Sequence, residues 1–161
     1  MPKTTRSGEV IEDELPSTLQ RSDEKAQQTY AKVHDSALGT YDDDEQAANR
    51  VAFAALKHTH EKVGDKWKKK PKGKKWPSDA RAEGGRDTDR PTAGGVDENA
   101  TKQHLYDLAR QLDIAGRSSM TKAELVEALQ KANDRQSARS RTTEASPKRA
   151  KKGSRKKDAQ N

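Results

Sequence analysis

Two short runs of this chain hold the residues best suited to chemistry. Residues 63 to 79, VGDKWKKKPKGKKWPSD, contain two tryptophans and seven lysines with little else apolar. Residues 116 to 122, GRSSMTK, set Arg117, Ser118, Ser119, Thr121 and Lys122 around the expected start of a helix. Both suit the reversible capture of an anion. Clustered lysines bind a polyanion by displacing its counterions, and an indole stacked on an unpaired base adds roughly 1–3 kcal/mol. The free amides and dipole of a helix N-terminus draw phosphate oxygens, and Lys102 stands at the start of the preceding helix in a comparable way. Lys74, Lys75 and Trp76 are the candidates in the first run, with Trp76 either stacking on a base or covering its own module's surface. Lys148, Arg149, Lys151, Lys152, Arg155, Lys156 and Lys157 form a third cationic group near the end of the chain.

Other chemistries find no residues. There is no G-x-S-x-G elbow, zinc-protease helix, phosphate-binding loop or cysteine, so neither an enzyme nor a cofactor is expected. The acidic run 42–45, DDDE, lacks the glycine and distal glutamate of a calcium loop and reads as helix capping. His58 and His60 would diverge by roughly 200° on a helix, which sets them apart as metal ligands. No metal site is expected.

Composition limits what can position these groups. Only 29% of the 161 residues are hydrophobic and 37% are charged, too little apolar area for packing throughout. Small folded islands joined by disordered segments follow. The net charge of +7 is uneven: residues 65–76 carry seven basic groups against one acidic, and residues 135–161 carry ten against two. Such clustering is the electrostatic footprint of a nucleic-acid binder. The absence of cysteine fits a reducing cytoplasm, the N-terminal residues show no apolar signal region, and VAFAAL is too short to span a bilayer, so a cytoplasmic location is expected.

The expected fold class is all-α, with two small helical modules, a disordered linker and disordered termini. In the first module, residues 15–70, Ser22 is the expected N-cap of a helix whose apolar face is Ala26, Tyr30, Val33, Ala37 and Tyr41. One of Asp42, Asp43 and Asp44 caps a second helix with Ala48, Val51, Ala52, Ala55, Leu56 and Val63 on one face, stopped by Gly64. Phe53 lies off that face and needs Leu15, Leu19 or Trp67 as a partner. Residues 71–98 join the basic strip to a flexible tether rich in Gly, Pro and Asp. In the second module, residues 99–134, Leu105, Leu108, Ala109 and Leu112 mark one helix. Thr121 and Glu124 form a capping box for the next, with Met120 and Leu125 as its hydrophobic staple. Ile114, in the extended connection, can enter the groove between them. A unit this small is marginal alone and calls for docking, dimerisation or a ligand. Residues 1–14 and 135–161 are expected to be disordered.

Two resemblances follow. Leu15-Pro16, the helix ending at Tyr41, RVAFAALKHTHEKVGDKW and the lysines after Trp67 resemble the ChaB family. That family is a small, mainly helical fold named as a regulator of a cation/proton antiporter. The resemblance implies that Trp67 belongs to the folded unit. LYDLARQLDIAGRSSMTKAELVEAL resembles the Rho termination factor N-terminal helical domain, a helix–extension–helix unit that accompanies nucleic-acid binding in transcription termination, and it is this resemblance that implies phosphate contacts at Arg117, Ser118, Ser119, Thr121 and Lys122. Nothing in the sequence reads as the stranded RNA-binding barrel or ATP loop of Rho, so a helicase-type terminator is not expected.

The expected function is a non-enzymatic DNA- or RNA-binding protein in which the second module orients the chain while the lysine strip and tail supply affinity. The alternative is a ChaB-type regulator of a cation transporter, meeting a membrane transporter or protein partner through residues 15–70, with basic segments drawn to anionic lipid. A protein–protein adaptor is the third reading.

Overall fold

The computed structural model describes residues 1–84 and 87–145. The chain forms α1 (Ser17–Gln20), α2 (Glu24–Thr40), α3 (Glu45–Thr59), β1 (His60–Val63), β2 (Lys66–Lys69), α4 (Ala80–Glu83), α5 (Lys102–Gln111) and α6 (Lys122–Ala145). Three short 3-10 turns lie at Glu12–Glu14, Pro71–Gly73 and Arg117–Ser119.

Capping sets the helix starts. Asp23, rather than Ser22, caps α2 by accepting from the Ala26 amide at 2.7 Å. Ser22 is committed elsewhere: its hydroxyl donates to the Thr18 carbonyl and accepts from the Trp67 amide at 2.8 Å. Asp44 caps α3, accepting from the amides of Gln46 and Ala47. The capping box of α6 forms in both directions, with the Thr121 amide donating to Glu124 at 2.6 Å and the Glu124 amide to the Thr121 hydroxyl at 3.3 Å. Helices α2 and α3 close on a core of Leu15, Leu19, Ala26, Tyr30, Ala31, Ala52, Leu56 and Trp67. Phe53 joins this core between Tyr30 and Trp67, with ring centroids 4.9 and 5.9 Å away.

The all-α expectation fails at residues 60–69, where β1 and β2 pair antiparallel in the register Val63↔Lys66 to His60↔Lys69. Val63 therefore sits on a strand rather than extending the α3 stripe. Gly64 and Asp65 form a two-residue loop, and the positive φ of Gly64 (69°) is the backbone that such tight hairpins demand at their first position. A Cβ at Gly64 would lie 2.0 Å from Gln136 Oε1, the end of an exposed side chain that can swing aside, so the positive φ is what calls for glycine here.

Residues 77–84 and 87–99 are not a tether. Asp79 is 1% exposed and accepts from Lys57 Nζ at 2.9 Å, the Ala82 amide at 2.8 Å and the Ala93 amide at 2.8 Å. Asp97 accepts from Trp76 Nε1 at 2.8 Å and lies 3.7 Å from Lys70 Nζ. Lys57 and Lys70 are themselves buried, and a buried ammonium without a counter-ion is strongly destabilising. The segment supplies those counter-ions and so is held in place. Its Gly95 carbonyl also accepts from the Lys62 amide at 2.9 Å, laying the segment beside β1.

The second core unites all three regions. Leu105, Leu108 and Ala109 of α5 and Leu125 and Leu129 of α6 pack with Ala93, Val96 and Ala100, and with Val63 of the hairpin. The marginal helix pair is completed by docking. The docking continues along α6, where Asn133, Ser137 and Ser140, spaced i, i+4, i+7, share a face turned to the hairpin loop. Asn133 Oδ1 accepts from the Gly64 amide at 2.7 Å, its Nδ2 donates to the Lys62 carbonyl, and Ser140 donates to Asp65. Arg21 pairs with both Asp65 and Glu144.

This polar face explains why residues 135–145, expected to be disordered, continue the helix. Residues 1–14 depart from the same expectation. Thr4 and Val10 form an antiparallel bridge, and the Lys3 and Thr4 amides donate to Asp35 at 2.7 and 2.8 Å. Residues 146–161 lie outside the described residues. Among the described residues, no helix is long and apolar enough to cross a membrane.

Candidate nucleic-acid interface

The strip from Lys66 to Trp76 divides into an inner and an outer set. On β2, the strand's alternation sends Trp67 into the core at 4% exposure and leaves Lys66 and Lys68 outward, with Lys69 also exposed. Lys72, within the Pro71–Gly73 turn, and Lys75 beyond it are exposed. No carboxylate lies within ion-pair distance of these five among the described residues. Lys70 belongs to the inner set: burial pulls its pKa down, Asp97 offsets part of that effect, and its ammonium donates to the Trp76 carbonyl at 2.6 Å.

Trp76 is half-buried and anchored through Nε1 to Asp97, with Lys74 Nζ 4.6 Å from the ring centroid. The cation–π contact occupies part of the ring that sequence reasoning offered to a base. A hollow of about 250 Å³ opens beside it, walled by Lys70, Lys72, Lys74, Trp76 and the first turn of α5. Thr101 caps that helix by accepting from the His104 amide, and Lys102, its first residue, is exposed. Lys74, Trp76 and the α5 N-terminus are thus brought together.

The GRSSMTK corner is partly spent on the fold. The Arg117 guanidinium donates to the Ile114 carbonyl at 3.0 Å and lies over the Tyr106 ring, which pins the connection between α5 and α6. Thr121 is engaged in capping, and the Glu124 carboxylate already sits at the α6 N-terminus. Ser119 donates to the Gly116 carbonyl. Ser118, Ser119 and Lys122 remain exposed. Lys122 shares a shallow hollow with Glu98 and Asn99, the residues that lead into α5, so the two helix N-termini lie at one end of the unit.

Sequence reasoning treated Lys66, Lys68, Lys69 and Lys72 only as part of a block charge. Strand alternation around Trp67 would group Lys70 with Lys66 and Lys68; its separation comes from Asp97 and the Trp76 carbonyl, which no local spacing announces. The tail candidates Lys148, Arg149, Lys151, Lys152, Arg155, Lys156 and Lys157 lie outside the described residues.

Histidine chemistry is structural here. His34 is fully buried between Asp35 and Glu45, and burial lowers its pKa. His104 faces Glu61 at 2.8 Å across the junction of α5 and β1, and that hydrogen bond raises its pKa. Burial pushes the Asp79 carboxyl up, yet the Ala82 and Ala93 amides and Lys57 outweigh it and hold the group below the usual carboxylate value.

Residues 15–70 match the family model described as ChaB. Residues 98–138 match the model of the Rho termination factor N-terminal domain, reaching past the boundary expected at 134. No curated protein and no solved structure matches the chain. The chain therefore carries, in order, a match to the ChaB model and a match to the Rho N-terminal model, the two families its sequence resembles.

Proposed function

We propose that this protein is a non-enzymatic binder of nucleic acid whose described contact surface is the outer lysine row of β2 and the following turn, extended by Lys74, Lys102 and Lys122. One observation carries the reading: Lys66, Lys68, Lys69, Lys72 and Lys75 are exposed on folded backbone with no carboxylate at ion-pair distance among the described residues. Unpaired cations held in place bind a phosphate backbone by releasing counterions, without reading its sequence. The Rho N-terminal match supports the same partner, and the strip lies against the first turn of that segment. Arg117 has a positioning role, since its guanidinium fixes the connection that presents Ser118 and Lys122.

The test is a titration of labelled duplex DNA and single-stranded RNA at several salt concentrations, with anionic vesicles in parallel. The full chain should bind both polynucleotides with a steep salt dependence, and residues 1–145 should retain part of it. Absence of polynucleotide binding at low salt, with co-sedimentation on vesicles, would replace this reading by the transporter-regulator one carried by the ChaB match.

A further inference from the structure

A further hollow, of about 410 Å³, opens between α3, the hairpin and Arg81, Ala82, Thr92 and Gly94, on surface that the outer lysine row does not share. Its apolar lining includes Phe53 and Trp67, which stand 5.9 Å apart. The Trp67 indole nitrogen is buried with no acceptor. Around the hollow stand Arg50, Lys62 and Arg81, none ion-paired among the described residues, and the carboxylate of Asp134. Lys57 also lines it but is neutralised by Asp79. Three cations against one carboxylate leave a double positive charge beside the partly exposed Phe53 ring. Lys62 is half-buried, and burial lowers its pKa despite the nearby Asp134, so an anion there would relieve a desolvated ammonium.

We propose that this hollow binds a phosphate monoester carried on a flat ring, a ligand the size of a nucleoside monophosphate. The volume is within the range of small-molecule sites, roughly 300–1,000 Å³. A phosphate monoester carries about −1.5 to −2 charge at neutral pH, which matches the rim. Two guanidinium groups suit its oxygens, because their planar forks donate in pairs. The ring would lie against Phe53, with the buried Trp67 behind it. A ligand here touches the ChaB segment through Arg50 and Phe53, the intervening segment through Arg81, and α6 beside Asp134, so its binding also tightens their junction.

The experiment follows tryptophan fluorescence in a Trp76→Phe background, which leaves Trp67 as reporter, during titration with adenosine monophosphate, adenosine and inorganic phosphate. Adenosine monophosphate should give a saturable change, with either fragment at least about tenfold weaker. Arg50→Gln/Arg81→Gln should weaken the monophosphate by at least about tenfold without lowering the melting temperature, since neither arginine holds an ion pair. No saturable change with the monophosphate, inorganic phosphate binding as well as the monophosphate, or unchanged affinity in the double variant would each overturn the proposal.

Discussion

Lys57 and Lys70 on one side, and Lys66, Lys68, Lys69, Lys72 and Lys75 on the other, carry the same charge within twenty residues of chain and do opposite things. The first two are buried, and each meets an aspartate from residues 77–99. The other five are exposed and meet none. A run of lysines is therefore not one electrostatic object. Its inner members draw the acidic segment onto the fold, and that neutralisation leaves the outer members as the free charge.

The largest effect should come from breaking an inner pair. Asp79→Ala strands the Lys57 ammonium in a buried site and removes the acceptor of the Ala82 and Ala93 amides. A loss of about 3–5 kcal/mol is expected, measured by denaturant unfolding. The outer row should behave in the opposite way. Replacing its five lysines by glutamine should leave stability within about 0.5 kcal/mol. The slope of log K against log salt on duplex DNA should become shallower by about 2 to 4, at roughly 0.9 for each phosphate no longer neutralised. Salt titration by fluorescence anisotropy measures it.

Two smaller changes sharpen the comparison by loosening the junction. Gly64→Ala forces a side chain into left-handed backbone, at a cost of about 1–2 kcal/mol in thermal unfolding. His104→Gln removes the charge but keeps a donor for Glu61. Because the folded pKa of His104 is raised above its ordinary 6.5, its contribution is fully present below that value and fades as pH rises through the folded pKa. The variant should be less stable than the parent by about 1 kcal/mol near pH 6, with the gap closing toward alkaline pH in paired melts. His34 and His60, whose pKa values burial lowers, act in the opposite sense in both proteins and cancel in the difference.

What the sequence revealed and hid follows from distance along the chain. The apolar faces of α2, α3 and α5 and the Thr121–Glu124 box rest on local spacing and were legible, whereas the α3 cap and the partner of Phe53 were each legible only as a choice of three, from which the fold takes Asp44 and Trp67. The hairpin was hidden by brevity: β2 has a single apolar residue, which leaves alternation around Trp67 a faint signal although Gly64-Asp65 is a hairpin dipeptide. The Lys57–Asp79 and Lys70–Asp97 pairs were hidden because each links a basic helix or strip to residues whose own composition reads as tether. The second half of α6 was hidden because its docking face is Asn133, Ser137 and Ser140, a stripe of small polar residues rather than an apolar one. The candidate site was legible as a concentration of charge and illegible as a surface.

Everything rests on residues 77–84 and 87–99 being a clasp that neutralises the inner lysines. Amide hydrogen exchange at Ala93 and Lys62 tests this most directly, since the first amide donates to Asp79 and the second to the Gly95 carbonyl. Both should be strongly protected in the parent and lose protection in Asp79→Ala. Exchange at open-chain rates in the parent would contradict the clasp and return the segment to a tether.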